Sequence, residues 1–534
     1  MREDNTGYPP FGLVYLYCMM VKTFGSAIYG VEATTISIEV SWTPTGKMYY
    51  IVGLPDNAIR ESFQRIESSI KSIGLHMPRT KIVVNLAPAD IKKSGTAFDL
   101  PIAVGILAAS GQMENTEFLA DYVIMGELGL DGSVRSIKGV LPMAIQSRKE
   151  GFRGLMIPKP NAREAGMVNQ LKVYGVTSLK DILEFFQTKE KSLLPTIVNV
   201  RDEFLYAQEQ SAGDFAEVKG QENIKRALEI AAAGGHNALL IGPPGAGKTM
   251  LAKRFATILP PLTLQEALET TRIHSVAGKL PENSTLIAKR PFRSPHHTIS
   301  DIALVGGGSI PQPGEISLAH NGVLFMDELP EFRRTVLEVM RQPIEERKIY
   351  INRAKSGVEF PASFMLLASM NPCPCGYFNH PDKKCVCPPG AVQKYLNKIS
   401  GPLMDRIDLH VEVTPLPFHD LTDSRQSESS SCIRERVIRA REIQLSRFAG
   451  EDRIYCNAQM GSSLLRKYTE LNHASVNLVR VAMEKLKLSA RAYDRILKVA
   501  RTIADLGASE WIEPEHIAEA IQYRSLDREH WYAY

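Results

Sequence analysis

Hydrophobic and polar positions in the first part of the chain follow two periods that alternate along the sequence. Strand-like alternation and helical periodicity each recur within this region. The strand-like runs cover 35–40, 49–53, 81–86, 122–126 and 154–158, and the helical runs cover 57–73 and 101–109. This order predicts one α/β domain over residues 21–189. Residues 190–216 lose the periodicity and gain charge, which is typical of a linker.

A different order of elements follows this linker. From residue 217 to 415, helix, strand, glycine-rich loop and helix recur, which predicts a parallel sheet covered by helices. Residues 416–431 are polar and are predicted to be a second linker, and helical periodicity in 432–534 predicts an all-helical lid. The chain is therefore predicted to be α/β with a helical C-terminal part. Residues 1–20 are expected to be a flexible tail or to reflect a translation start placed too early.

A glycine-rich segment, ALLIGPPGAGKTM, joins an apolar strand-like run to a helix. It matches the pattern G-x-x-x-x-G-K-[ST] without a gap. In such a loop, backbone N–H groups surround the phosphates, the lysine reaches the β and γ phosphates, and the hydroxyl binds Mg²⁺. We therefore predict a site for ATP and Mg²⁺ formed by Gly242, Pro243, Pro244, Gly245, Ala246, Gly247, Lys248 and Thr249.

Polar residues end two later apolar runs and extend this site. In GVLFMDEL, Asp327 is predicted to hold Mg²⁺ and Glu328 to polarise the attacking water. In FMLLASMN, the amide of Asn371 is predicted to orient that water or to sense the γ phosphate. Arg406 and Arg491 stand beside apolar segments, Arg406 placed to reach a neighbour's nucleotide and Arg491 to reach phosphate from the lid. A surface salt bridge is the alternative for both arginines.

Composition and cysteine usage limit the class of protein. Hydrophobic residues make up 44% and charged residues 23% of the 534 residues, as in globular proteins. Seven cysteines are too few and too clustered for a disulfide framework, so we expect a reducing cytoplasm. The longest apolar run, 11–21, is shorter than the roughly 20 residues of a membrane helix, so no membrane span is expected.

Any contact with nucleic acid must come from local patches of positive charge, because the formal net charge of the chain is only +4. One basic segment surrounds Phe292, and a second lies at the tip of a hairpin predicted from strands at 348–352 and 358–361. These loops are predicted to hold DNA phosphates without reading bases, with solvated loop charges as the alternative. The predicted DNA-contacting residues are Lys289, Arg290, Arg293, Arg353 and Lys355.

Four cysteines fall in a segment rich in proline and glycine directly after Asn371. They form C-x-C, nine residues, and C-x-C again, which suits a closed tetrahedral site for structural Zn²⁺. The candidate ligands are Cys373, Cys375, Cys385 and Cys387. Reduced free thiols are the alternative.

Long motifs in the second half of the chain resemble the magnesium-chelatase-related AAA+ family known as ComM or YifB. They are GPPGAGKT, VLFMDEL, SMNPCPCG, SGPLMDRID and SARAYDRILKVARTIADL, with RPFRSPHHTISDIALVGGG and PGEISLAHNGVLF before the Asp-Glu pair. The resemblance spans about 21–523. It implies a hexameric ATPase ring in which Lys248, Thr249, Asp327, Glu328 and Asn371 act as predicted above, Arg406 is the arginine finger across the subunit boundary, and Arg491 is the second sensor.

The family resemblance also carries an expected activity. It implies ATP-driven branch migration of DNA when incoming strands are integrated during natural transformation. The expected partners are branched DNA, or single strands with duplex, bound without sequence preference, together with recombination proteins. The first basic segment resembles the helix-2 insert of chelatase-like and replicative-helicase ATPases, and the hairpin corresponds to a pore loop.

The N-terminal part resembles the proteolytic domain of Lon in MGELGLDGSVRSIKGVLPMAI and GFRGLMIPK. On that resemblance, the position of the nucleophilic serine falls on Asp99 and that of its lysine partner on Leu141. Neither residue can do this chemistry, so the resemblance implies a non-proteolytic scaffold. Ser94 with Lys138 stays open as a displaced pair.

Three other functions compete with DNA translocation. A chelatase-type motor would couple ATP hydrolysis to metal insertion into a tetrapyrrole, but it would need separate partner subunits and leaves the Lon-like domain without a use. An ATP-dependent protease is disfavoured by Asp99 and Leu141. A non-enzymatic DNA scaffold is disfavoured by the complete set of hydrolysis residues.

Overall fold

Two compact units make up the chain, Met1–Asn199 and Val200–Tyr534. The computed structural model describes residues 20–43, 46, 48–209, 213–280, 286–308, 310–353, 356–378, 380, 382–415, 427–451 and 454–524. The second unit contains both the predicted ATPase core and the predicted helical lid, which share one hydrophobic core. None of the described helices is both long enough and apolar enough to cross a membrane.

The first unit is built on a mixed seven-stranded sheet with the order β3-β4-β2-β1-β5-β8-β9. All five predicted strands and both predicted helical regions are present. The strands are β1 (Met20–Tyr29), β2 (Glu32–Thr43), β3 (Tyr49–Val52), β4 (Lys81–Ala87), β5 (Tyr122–Ile124), β6 (Glu127–Leu128), β7 (Val134–Arg135), β8 (Gly154–Pro158) and β9 (Lys172–Val176). The helices are α1 (Asn57–Arg60), α2 (Ser62–Ser72), α3 (Asp99–Ala109), α4 (Val140–Lys149), α5 (Ala162–Gly166) and α6 (Leu179–Gln187).

Helix α3 lies at the centre of this unit. Every one of its residues is buried, because its apolar sequence packs on β1 and β2 and leaves no polar face for solvent. Its first residue, Asp99, is held by Arg65, whose Nε and NH2 groups lie 2.7 Å and 3.0 Å from the two carboxylate oxygens. Burial raises the pKa of Asp99 to about 6, although the guanidinium opposes this shift, so the carboxylate is ionised at neutral pH.

Asp99 and Leu141, which fall where Lon has its serine and lysine, both make structural contacts in this unit. The carboxylate of Asp99 forms an ion pair with Arg65. Leu141 is buried in α4, and its backbone N–H donates a hydrogen bond to Oε1 of Glu164 at 3.0 Å. For Ser94 and Lys138, the described part of the chain shows no hydrogen bond that joins the two side chains.

Arg65→Ala is expected to lower the unfolding free energy of the first unit by about 3 kcal/mol, because a buried carboxylate would lose its ionic partner. Hydrogen exchange of the α3 amides in the full-length protein measures this loss. Arg60→Ala is the control, since Arg60 is exposed at the end of α1. Equal protection of α3 in the two variants would contradict the prediction.

The second unit contains a parallel five-stranded sheet with the order β11-β14-β17-β10-β18. Apolar residues fill its central strands, as is typical of strands covered on both faces. The strands of the unit are β10 (Ala238–Ile241), β11 (Phe292–Arg293), β12 (Gly306–Gly307), β13 (Gln312–Pro313), β14 (Val323–Met326), β15 (Lys348–Arg353), β16 (Ser356–Pro361), β17 (Met365–Met370) and β18 (Leu409–Glu412). Strands β15 and β16 form the predicted hairpin.

Helices cover this sheet and continue into the lid. Those of the core are α7 (Val200–Glu209), α8 (Glu222–Gly234), α9 (Lys248–Ile258), α10 (Leu264–Ala277), α11 (Asp301–Val305), α12 (Glu315–Leu318), α13 (Arg334–Val339), α14 (Arg341–Glu346), α15 (Ala391–Leu396) and α16 (Gly401–Met404). Those of the lid are α17 (Ser430–Arg447), α18 (Ser462–Tyr468), α19 (His473–Leu486), α20 (Ala490–Leu506) and α21 (Pro514–Gln522). Helix α7 lies within the predicted linker 190–216, so that segment is not uniformly irregular.

The lid packs directly on the core. Leu228 and Ala231 of α8 share one buried cluster with Val437 of α17 and with Ile496 and Val499 of α20. A buried ion pair adds to this contact, because NH1 of Arg495 on α20 lies 3.0 Å from Oδ1 of Asp408, which precedes β18. The core and lid therefore form one compact unit.

Candidate ATP site

The carboxyl ends of three neighbouring parallel strands, β14, β17 and β10, bring the predicted phosphate-binding residues together. The loop 242–247 follows β10, and α9 begins at Lys248. Gly247 precedes the helix with φ of 83°, a left-handed conformation that favours glycine. Backbone N–H groups in the first turn of a helix have no partner within the helix, and such groups bind phosphate at helix N-termini. The start of α9, directly after the loop, has this arrangement. The strand, loop and helix context predicted for this motif is present.

Lys248 connects the loop to β17. Its Nζ donates hydrogen bonds to the carbonyl oxygens of Gly242 at 2.7 Å and Pro243 at 3.0 Å, and to Oδ1 of Asn371 at 3.1 Å. Burial lowers the pKa of Lys248, and the negative charges of Asp327 and Glu328 oppose that shift. Two residues separated by 123 positions therefore meet at the site that the sequence predicted for both.

Two oxygens that could hold Mg²⁺, those of Thr249 and Asp327, meet at the start of α9. The Thr249 hydroxyl donates to Oδ2 of Asp327 at 2.8 Å, and the other carboxylate oxygen of Asp327 accepts a hydrogen bond from Ser369. A hydroxyl and a carboxylate are oxygen ligands of the kind that Mg²⁺ takes when it also binds nucleotide phosphates. These residues fit the metal that ATP brings with it.

Ser369 is a site residue that sequence reasoning missed. It is fully buried in β17, orients Asp327, and accepts a hydrogen bond from the backbone N–H of Glu328 at 3.3 Å. The signal in the sequence was a serine inside the apolar run MLLASM. A buried hydroxyl requires a partner, and the nearest polar strand end supplies it.

Glu328 has an exposed side chain at the end of β14 and a left-handed backbone, with φ of 55° and ψ of 52°. This conformation costs a residue other than glycine roughly 1 kcal/mol or more, and such strain concentrates at functional sites. Glu328 directly follows Asp327 in the chain, and its side chain is accessible to water.

Arg406 and Arg491 both make ion pairs, the alternative that the sequence left open. The guanidinium of Arg406 donates to the carbonyl oxygen of Pro402 at 2.5 Å and to Oε2 of Glu345 at 2.8 Å. Arg491 NH1 lies 3.5 Å from Oδ2 of Asp405, and its side chain is 61% exposed. Within one chain, the contacts found in the described part do not join either arginine to the loop 242–249.

Two arginines of the first basic segment have acceptors within their own chain. Arg290 is directed inward, where its guanidinium donates to the carbonyl oxygens of Pro260 at 2.6 Å and Asn321 at 2.7 Å and lies beside Glu266. Arg293 pairs with Glu315, with Nε 2.6 Å from Oε2. Protein acceptors therefore hold the charged groups of Arg290 and Arg293 within the chain, and their contact with DNA stays a prediction.

The structure describes the other three predicted DNA-contacting residues to different extents. Lys289 is exposed. The side chain of Arg353 and the whole of Lys355 lie outside the described residues. The hairpin that carries them is closed at its base by an ion pair between Lys348 and Glu359 at 2.5 Å.

The four cysteines of the predicted zinc site lie together. Their sulfur atoms are all within 4.8 Å of one another, and three of the distances are 3.3 Å, 3.5 Å and 3.7 Å. A tetrahedral site with Zn–S bonds of about 2.3 Å requires sulfurs about 3.8 Å apart. Burial alone would raise the pKa of the Cys375 thiol, but hydrogen bonds from the backbone N–H groups of Tyr377 and Val386 help lower it to about 6. The sulfur set fits thiolate-bound Zn²⁺.

Three family profiles match the chain along most of its length. Residues 214–421 match "Magnesium chelatase, subunit ChlI", residues 38–161 match "Subunit ChlI of Mg-chelatase", and residues 427–524 match the C-terminal domain of the same subunit. The first of these segments contains the loop 242–249 together with Asp327, Glu328, Ser369 and Asn371.

Several curated proteins are similar to this chain. Competence protein ComM of Haemophilus influenzae is 43% identical over 507 residues, which cover 95% of this chain and 97% of ComM. YifB of Escherichia coli is 41% identical over 508 residues, 94% of this chain and 96% of YifB. Lon protease 2 of Bacillus subtilis is 30% identical over 154 residues, 26% of each protein. The full-length matches and the site geometry agree: the chain belongs to the ComM/YifB family of magnesium-chelatase-related AAA+ proteins.

Proposed function

We propose that this protein is an ATP-dependent hexameric DNA translocase that promotes branch migration of recombination intermediates during natural transformation. The cluster of Lys248, Thr249, Asp327 and Asn371 is the observation that carries the ATPase part, since these residues meet around a helix N-terminus with the donors and oxygens that nucleotide and Mg²⁺ require. Similarity to a competence protein over 95% of the chain supports a role in natural transformation. The translocase acts in the cytoplasm, where its DNA substrate and recombination proteins are found.

Branch migration is tested with a synthetic Holliday junction. We expect wild type to dissociate the junction with ATP and Mg²⁺, and Lys248→Ala to abolish dissociation because the phosphates lose their main cation. Lys253→Ala is the matched control, since Lys253 is exposed on the same helix. Wild type that hydrolyses ATP without moving the junction, and without stimulation by DNA, would contradict the proposal.

A chelatase-type motor is the second candidate, because the matching profiles are those of a magnesium-chelatase subunit. Such a motor would transfer the energy of ATP hydrolysis to a partner subunit that inserts the metal. The same ATPase site serves both functions, so only the response to DNA separates them. Hydrolysis that ignores DNA would favour this second candidate.

DNA binding is assigned to Lys289, Arg353 and Lys355, whose charges would be repeated six times around the pore of a hexamer. Lys355→Ala is expected to weaken DNA binding equally for all sequences and to reduce the salt dependence of the affinity, because phosphate contacts release counterions. Binding titrations at several salt concentrations measure both effects, and Lys485→Ala on the exposed face of the lid is the control. An unchanged salt slope would remove Lys355 from the contact surface.

The cofactors of this function are ATP and Mg²⁺, with a structural Zn²⁺ at Cys373, Cys375, Cys385 and Cys387. The distances between the sulfurs support the zinc site, since they approach the tetrahedral value. Metal analysis of the purified protein is expected to find one zinc per chain. Zinc-free protein with four reduced thiols would contradict this assignment.

A further inference from the structure

The segment that carries the four cysteines contacts the ATP site. Cys373 lies two residues after Asn371, whose amide oxygen accepts a hydrogen bond from Lys248. Gly376, within the same cluster, lies against Pro244 of the phosphate-binding loop, so closely that a Cβ placed on Gly376 would be 2.5 Å from Cδ of that proline. One short segment therefore contacts the loop at two points, once through Asn371 and once through Gly376.

Little regular structure holds this segment in place. Between the end of β17 at Met370 and the start of α15 at Ala391, the described residues form no helix and no strand. A turn closed by the backbone hydrogen bond from Gly376 to the carbonyl of Cys373, at 3.0 Å, brings the glycine under Pro244. The sulfurs of Cys373 and Cys375, near the start of the segment, contact the sulfur of Cys385, which lies closer to its end. This contact links the two parts of the segment.

We propose that Zn²⁺ bound by the four cysteine thiolates holds Gly376 against Pro244 and Asn371 against Lys248, so that zinc loading sets the nucleotide affinity of the ATP site. The metal acts as a structural clamp with no part in the chemistry of hydrolysis. Without it, the segment loses its cross-link and the loop loses a supporting surface. This inference rests on the proposed ATPase function, because it concerns the affinity of that site.

Metal removal is the first test. Protein with its zinc content measured is treated with a zinc-selective chelator, and the dissociation constant for a slowly hydrolysed ATP analogue is determined before and after. We expect affinity to fall about tenfold, since small displacements of binding groups cost one to two orders of magnitude. Adding Zn²⁺ back restores the affinity. Cys385→Ser is expected to reproduce the loss, and Cys432→Ser, at an exposed cysteine outside the cluster, is expected to change neither zinc nor affinity.

A glycine pair provides a second test that leaves the cysteines intact. Gly376→Ala is expected to retain zinc yet weaken nucleotide binding, because the added methyl group must displace Pro244. Gly390→Ala is the matched control: Gly390 has a similar positive φ, 76° against 82°, but nothing within 4 Å of an added Cβ. Any loss that exceeds the control therefore reports the contact with the loop instead of backbone strain.

The outcomes separate the clamp from the ATPase function. Zinc removal that leaves nucleotide affinity unchanged overturns the clamp while the ATPase function stands, and so does equal affinity of the two glycine variants. Protein that contains no zinc also overturns it. Zinc-loaded wild type that binds no nucleotide overturns the proposed ATPase function, and the clamp with it.

Discussion

Glu328→Gln is expected to lower kcat for ATP hydrolysis at least about 100-fold, the loss typical of removing a general base. Glutamine keeps the size of the side chain but cannot accept the proton of the attacking water. The affinity for ATP is expected to remain, because the residues predicted to hold the phosphates and Mg²⁺, which are Lys248, Thr249 and Asp327, are unchanged. A steady-state hydrolysis assay with a parallel nucleotide-binding titration measures the two properties separately.

Glu331→Gln is the matched control for this substitution. Glu331 lies three residues further along and is exposed in an ion pair with Lys398. Its replacement is expected to leave hydrolysis within about twofold of wild type, as for a surface ion pair of small energy. Similar losses in both variants would mean that negative charge at this end of the sheet matters and that Glu328 is not the base.

Arg406→Ala is expected to lower hydrolysis about 10³-fold, the contribution of an arginine finger. Within its own chain, Arg406 is held by Glu345 and Pro402, and its Nε has no hydrogen-bond partner in the described structure. The family resemblance implies that its guanidinium acts on the nucleotide of a neighbouring subunit. Arg341→Ala is the control, because Arg341 pairs with Glu338 on a nearby exposed surface.

Mixed assemblies test whether this arginine acts between subunits. An Arg406→Ala chain keeps its ATP site but lacks the finger, and a Glu328→Gln chain keeps the finger but lacks the base. Mixing the two inactive variants is expected to restore part of the hydrolysis, since the second variant supplies a finger to the first. No recovery in stable mixed rings would place Arg406 in its own site or in a structural role.

The loop that carries Arg406 is anchored to the lid. Asp405 pairs with Arg491, and Asp408 pairs with Arg495 one turn further along α20. Burial would raise the pKa of Asp408, but the charge of Arg495 and its contact with His236 hold that pKa well below its usual range. These two ion pairs therefore join α20 to the segment that carries Arg406.

Much of the ATP site was predictable because its residues lie in continuous motifs. The loop 242–249 is specified by one uninterrupted pattern, and Asp327 and Asn371 each end an apolar run that becomes a buried parallel strand. The carboxyl ends of parallel strands share one edge of the sheet, so their meeting follows from the fold class. Ser369 escaped because a serine within a strand has the same pattern whether it is functional or not.

The partners of charged side chains were the hardest feature to predict from the sequence. Arg290 and Lys289 are neighbours in one basic segment, yet Arg290 is directed toward Pro260 and Asn321 while Lys289 is exposed. Sequence patterns record that a charge is present but not which acceptors the folded chain brings within reach. The same reason explains Arg406, whose partner Glu345 lies in α14 of the core, and Arg491, whose partner Asp405 lies across the contact between lid and core.

The sequence by itself determined the family, the α/β class, the ATP site and the cysteine pattern, because each is written in local periodicity or in residues close together along the chain. Only the tertiary structure decided that the lid and core form one unit, that Ser369 orients Asp327, and that Gly376 supports Pro244. These contacts join residues that are distant in sequence or carry no chemical signature. Such contacts depend on the packing of whole elements, and a local pattern does not encode that packing.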